Sequence, residues 1–111
     1  MSKLILNTDV ELIYTARDNA GELKDLSLFD LVEILIVDKG RTKIIAGPYT
    51  AVSSHEGADF ENGKAVVSIP RNDTKFIVVK DVLIDMQLTL GDKKTGIVAS
   101  DIATTVKWLF P

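Results

Sequence analysis

Val82, Ile84, Met86, Leu88 and Leu90 alternate with Leu83, Asp85, Gln87 and Thr89, and this period of two predicts a strand with one dry face. Gly91 to Gly96 is a short polar run with glycine at both ends, and beyond it Val98, Ser100, Ile102, Thr104, Val106, Trp108 and Phe110 alternate again. The pair reads as a β-hairpin with a long extended return. The same period marks Val10, Leu12 and Tyr14, followed by αL-tolerant turn residues from Arg17 to Glu22. Leu31 to Val37 sets Val32, Ile34 and Ile36 on one face, and Asp38-Lys39-Gly40-Arg41 closes it as a turn. Lys64 to Ile69 alternates in the same way, and Pro70, which lacks an N–H for the ladder, ends it.

The stretches between these strands are less regular. Thr42 to Ala46 reads as a returning strand that Gly47-Pro48-Tyr49 breaks, and Leu23 to Leu31 as a leucine-rich connection. Thr50 to Gly63 has the longest loop-like composition, a natural variable region that Phe60 pins to the core. Thr74 to Val79 can form one helical turn with Asp73 as its N-cap. Short strands separated by turn signals, without a convincing amphipathic helix, predict an all-β fold: an antiparallel immunoglobulin-like β-sandwich with room for one short helical turn. At 111 residues the chain is expected to be one domain, residues 1–111, with one core.

Composition narrows the function classes. Hydrophobic residues make up 46% and charged residues 26%, the balance of a soluble globular domain. The net charge of −3 and scattered Lys and Arg argue against a nucleic-acid partner. Without cysteine there are no disulfides, thiolate metal sites or cysteine nucleophiles. The opening Met1 to Asp9 has too short an apolar run for a signal peptide, and Ile34-Leu35-Ile36-Val37 is far short of a membrane span. No membrane association is expected.

Candidate chemistry is sparse. The single histidine, His55, lies in Ser53-Ser54-His55-Glu56, and neighbours along an extended chain point apart, so it reads as a solvated loop residue and not as a catalytic base. Asp59-Phe60-Glu61-Asn62-Gly63 offers oxygens to a cation but lacks the spacing of a calcium loop, and reads as an acidic turn. The glycines form neither a dinucleotide nor a phosphate-binding loop. No cofactor or metal is expected, and no enzyme activity. Most aromatic residues alternate with polar ones and read as core, whereas Trp108, Leu109 and Phe110 form an apolar end that completes the sandwich or docks on a neighbouring subunit.

Four stretches carry a resemblance: the Thr-Ala-Arg-Asp-Asn-Ala-Gly-Glu turn (Thr15 to Glu22), Val32-Glu33-Ile34-Leu35-Ile36, the run from Gly57 to Pro70, and Leu83 to Asp92. Together they resemble small structural proteins of tailed bacteriophages, in particular the N-terminal β-sandwich module of baseplate and tail-fibre attachment proteins. The likeness covers most of the chain and consists of strand-and-turn grammar. It implies a non-enzymatic virion structural protein, assembled in the host cytoplasm, whose partners are other virion subunits, with copies of itself among them in a homo-oligomer. Longer members continue into a fibre or receptor-binding region; this chain stops at Pro111, which favours an adaptor, connector or decoration subunit of tail, baseplate or head. Contact residues on this reading are Tyr49, His55, Phe60, Trp108, Leu109 and Phe110. The alternative is a carbohydrate-binding module, which requires Tyr49, Trp108 and Phe110 to form a flat, exposed platform.

Overall fold

The computed structural model describes residues 2–75, 77, 81–98 and 102–107. Eight strands lie among them: β1 (Ser2–Leu6), β2 (Val10–Thr15), β3 (Leu31–Asp38), β4 (Ile44–Ala51), β5 (Lys64–Ile69), β6 (Asp81–Leu90), β7 (Lys93–Ile97) and β8 (Ile102–Lys107). A large sheet runs β1-β8-β6-β3-β4, with β7 also on β6, and β2 and β5 form a second sheet. The fold is all-β in two layers, as the alternation predicts. The central β8-β6-β3-β4 order, with β2 and β5 opposite, follows the immunoglobulin-like arrangement.

The dry faces meet between the sheets. Leu4 and Leu6 of β1, Ile34 and Ile36 of β3, and Met86 and Leu88 of β6 pack in one cluster with Ala65, Val67 and Ile69 of β5, and Leu12 and Tyr14 of β2 pack against it. Burying such aliphatic side chains contributes roughly 1.5–3 kcal/mol each. A smaller cluster, Leu35, Val37 and Leu83, lies on the other face of the large sheet. Leu83 is thus buried on the face of β6 that the sequence assigns to polar residues.

Several expectations need correction. Ser2–Leu6 is a strand, and it pairs with β8 in parallel, so the large sheet is not wholly antiparallel. A pairing between chain segments about a hundred residues apart leaves no local sequence signal. Gly47-Pro48-Tyr49 does not end the returning strand: β4 continues to Ala51, with Gly47 and Pro48 together opposing Leu35 as a bulge. An edge strand tolerates proline because its outer N–H groups need no ladder partner. A helical turn lies at Arg71–Thr74, with Pro70 at its N-cap position and Asp73 inside it and not capping it; Phe76, Val78 and Val79 of the predicted span lie outside the described residues. The fixed φ of proline suits helix entry, which is why Pro70 both ends β5 and starts the turn. The hairpin turn is shorter than Gly91 to Gly96, since Leu90 already pairs with Lys93.

Candidate functional site

The surface offered to a partner is built from the edge at β4, which carries no further strand among the described residues, and the loops around it. Its sequence, Ile-Ile-Ala-Gly-Pro-Tyr-Thr-Ala, contains no charged residue. Ile44, at its start, is 53% exposed and pairs with Val37 of the outer apolar cluster. Natural edge strands are commonly guarded by charge, bulges or proline; β4 has the bulge and the proline, both at Gly47-Pro48, and lacks the charge.

The β3–β4 loop is fixed by one carboxylate. Asp38 accepts from the Thr42 hydroxyl (2.7 Å), the Thr42 N–H (2.7 Å) and the Lys43 N–H (2.8 Å). The Thr42 hydroxyl, followed by the Lys43 amide, holds its pKa down at about 2. Arg41 adopts a left-handed φ of 54° in this loop. Its guanidinium reaches Asp85 on β6 through Nε (2.9 Å) and Nη2 (3.2 Å), a bidentate charge-assisted pair that raises the arginine pKa further. Asp85 lies opposite Leu35 in the ladder, and the Val37–Leu83 pair lies between it and the loop. Arg41 therefore spans the outer apolar cluster.

Tyr49 is half-buried on the inner side of β4, packed against the core, and its hydroxyl donates to Asp73 Oδ2 at 3.0 Å. Burial first, and then the Asp73 contact, push its pKa up. A side chain held in this way does not supply the exposed platform that a sugar-binding reading needs from Tyr49. Phe60, first residue of a short 3-10 turn (Phe60–Asn62), also packs partly against the core, as expected of a loop pin. Beside it, Asp59 accepts from the Asn62 amide at 2.8 Å. Among the described residues no cluster of three or more His, Cys, Asp or Glu side chains could hold a metal.

His55 differs from the solvated loop residue expected of it. Its Nδ1 lies 2.9 Å from the Glu56 carbonyl oxygen and its Nε2 3.2 Å from Ser68 Oγ on the outward face of β5. A carbonyl oxygen only accepts, so Nδ1 donates to it, and Nε2 and the serine hydroxyl make the second contact. Gly57 passes over the same face: a Cβ there would stand 3.8 Å from Val66 Cγ2. The loop is a strap over β5, which explains why Val66 is buried although it points away from the core. A serine-histidine hydrogen bond is the geometry of an activated nucleophile, but here a neutral carbonyl stands where a carboxylate would stabilise the imidazolium. The arrangement anchors a loop.

Tyr49 and Phe60 thus share the core while His55 lies on the outer face of the small sheet, so these three do not form one patch. Trp108, Leu109 and Phe110 lie outside the described residues. Sequence reading missed Ser68 as the partner of His55 and Arg41 as the partner of Asp85, because thirteen and forty-four residues separate them. The uncharged run of β4 was visible, but the glycine and proline concealed that it was a continuous edge. No family model matches the chain, and no curated protein matches it significantly.

Proposed function

We propose that this chain is a non-enzymatic structural subunit of a tailed-bacteriophage particle, an adaptor, connector or decoration protein of tail, baseplate or head that acts through contacts with other subunits, including copies of itself. The observation that carries the reading is β4: eight residues at a sheet edge without one charge, beginning with a half-exposed isoleucine. Such an edge presents unpaired backbone groups to any strand that aligns with it. The virion assignment comes from the resemblance of the turn and strand sequences, and the contact mode from this edge. Placing lysines at Ile44 and Thr50 puts charge on the edge while leaving the core intact. The double variant is expected to melt like the parent yet to self-associate less in sedimentation and to lose incorporation into particles followed by mass spectrometry. A parent protein that stays monomeric at high concentration and is missing from purified particles would falsify the reading.

A further inference from the structure

β1 is attached to the rest of the fold differently from every other strand of the large sheet. It hydrogen-bonds to one neighbour, β8, in parallel, from Ser2 opposite Ala103 to Leu6 opposite Lys107. Its other edge carries no strand among the described residues. The next element in the chain, β2, belongs to the opposite sheet. Only residues 7–9 connect the two. Leu4 and Leu6 nevertheless lie deep in the core, so β1 fills a slot bounded by β8 and the facing layer.

The three-residue hinge is held closed from outside itself. Asn7 has a left-handed φ of 61°. The Thr74 hydroxyl, fully buried, donates to the Thr8 carbonyl at 2.7 Å. The Arg71 N–H donates to Asp9 Oδ1 at 2.7 Å and its Nε to Asn7 Oδ1 at 3.0 Å. Thr8 closes the turn with a bond from its own hydroxyl to the Ile5 carbonyl at 2.8 Å. Short hinge loops in strained backbone are the setting in which identical elements exchange between copies.

We propose that β1 is an exchangeable strand: two copies of this chain trade Ser2–Leu6, each filling the slot beside the partner's β8. The slot recognises leucine side chains and a parallel backbone, and the same strand from another copy supplies both identically. Closed and exchanged forms therefore share the β1–β8 ladder and the burial of Leu4 and Leu6. They differ at the hinge, where opening releases the Asn7 conformation and the Thr74 and Arg71 clamps, and in the entropy of joining two molecules. The exchange is a route to self-association separate from the β4 edge, at the opposite side of the large sheet, and it stands on the strand's own contacts whatever particle the chain serves.

The chain has no cysteine, so a pair introduced at Ile5 and Val106, which are register partners, reports which molecule owns each β1. Isotopically heavy and light chains carrying Ile5→Cys and Val106→Cys are mixed at high concentration, incubated and oxidised. Heavy–light disulfides between positions 5 and 106 are expected, in a fraction that rises with concentration and rises further when Thr8 is deleted to shorten the hinge. Disulfides confined to single chains at every concentration, in the Thr8-deleted form as well, would overturn the exchange, and so would dimers whose 5–106 links all stay within one chain. Should the cysteine pair fail to fold, amine cross-linking of unsubstituted heavy and light chains between Lys3 and Lys107 gives the same readout. Exchange without particle incorporation would leave this proposal standing and remove the virion reading; the reverse result would do the opposite.

Discussion

Gly63 joins three segments at one backbone position. Its carbonyl accepts from the Ala16 N–H at 2.8 Å, and the Lys24 N–H donates to the Ala16 carbonyl at 3.0 Å beside it. With φ at 76°, a Cβ on Gly63 would lie 2.7 Å from the Ala16 oxygen and 2.9 Å from the Lys24 oxygen. Both are backbone atoms, so neither can swing aside. Gly63→Ala therefore combines the left-handed penalty of about 1–2 kcal/mol with displacement of the crossing. A loss of more than about 2 kcal/mol is expected in urea unfolding. Gly21 is the control, since its φ of 82° carries the same conformational penalty with nothing within 4 Å of the added carbon. Equal losses for Gly21→Ala and Gly63→Ala would show that the crossing does not matter. At this scale the sequence was only partly legible. Asn62-Gly63 is turn chemistry on sequence alone, but its service to Ala16 and Lys24 depends on a tertiary crossing that no window of sequence contains.

Elements are where alternation spoke most clearly, and also where it concealed most. β2, β3, β5 and β6 form over their period-two runs, although β3, β5 and β6 also bury Leu35, Val37, Val66 and Leu83 on faces turned away from the main core. The return after the hairpin alternates just as cleanly but is not one ladder. Met86 pairs with Ile97 and Leu83 with Ile102, so β6 advances by Ile84 and Asp85 while the return spends residues 98–101. An offset of two keeps each residue on its own face, and the pattern cannot reveal it. Where β7 ends, Tyr14 from the other sheet donates towards the Ile97 and Val98 carbonyls at 3.4 and 3.3 Å. Burial, with the Asp85 charge second, pushes that phenol up to about 12. The β3–β4 loop makes a prediction at this scale. Asp38 has a folded pKa of about 2, against about 3.9 in an unfolded chain. Between those values the unfolded state binds more protons, so the stabilisation is complete above about pH 4 and disappears as pH falls towards the folded value. Amide exchange at Thr42 and Lys43 should accelerate over that window, after correction for the intrinsic rate, and Asp38→Asn should remove the effect. A loop whose protection is flat from pH 5 to about 2 would contradict the role given to this carboxylate.

Across the whole molecule, the sandwich was legible because its core is assembled from alternating faces, whereas the placement of β1 was not. The sheet that a strand joins is decided by partners distant in sequence, and Ser2–Leu6 chose β8 over its neighbour β2. The proposed exchange requires that β1 leave its slot more readily than the rest of the sandwich unfolds, and two leucines can measure this. Leu4 on β1 and Leu88 on β6 are each almost wholly buried in the same cluster. Truncation of such a leucine to alanine ordinarily costs about 2–5 kcal/mol. Leu88 sits in a strand paired on both sides, with β3 and with β7, so its loss can be relieved only by unfolding the body, and Leu88→Ala should show the full cost. Leu4 sits in a strand held by one neighbour and a three-residue hinge. If β1 releases as a unit, the cost of Leu4→Ala cannot exceed the free energy of that release, because the remainder of the sandwich stays folded with β1 open. The expected signature is a smaller shift in the urea midpoint for Leu4→Ala than for Leu88→Ala, with native-state hydrogen exchange protection lost at β1 and β8 while the amides of β3 and β6 keep nearly all of theirs. Equal shifts, with protection falling uniformly through both sheets, would mean that β1 is an integral part of one cooperative unit and not a strand that can leave its slot.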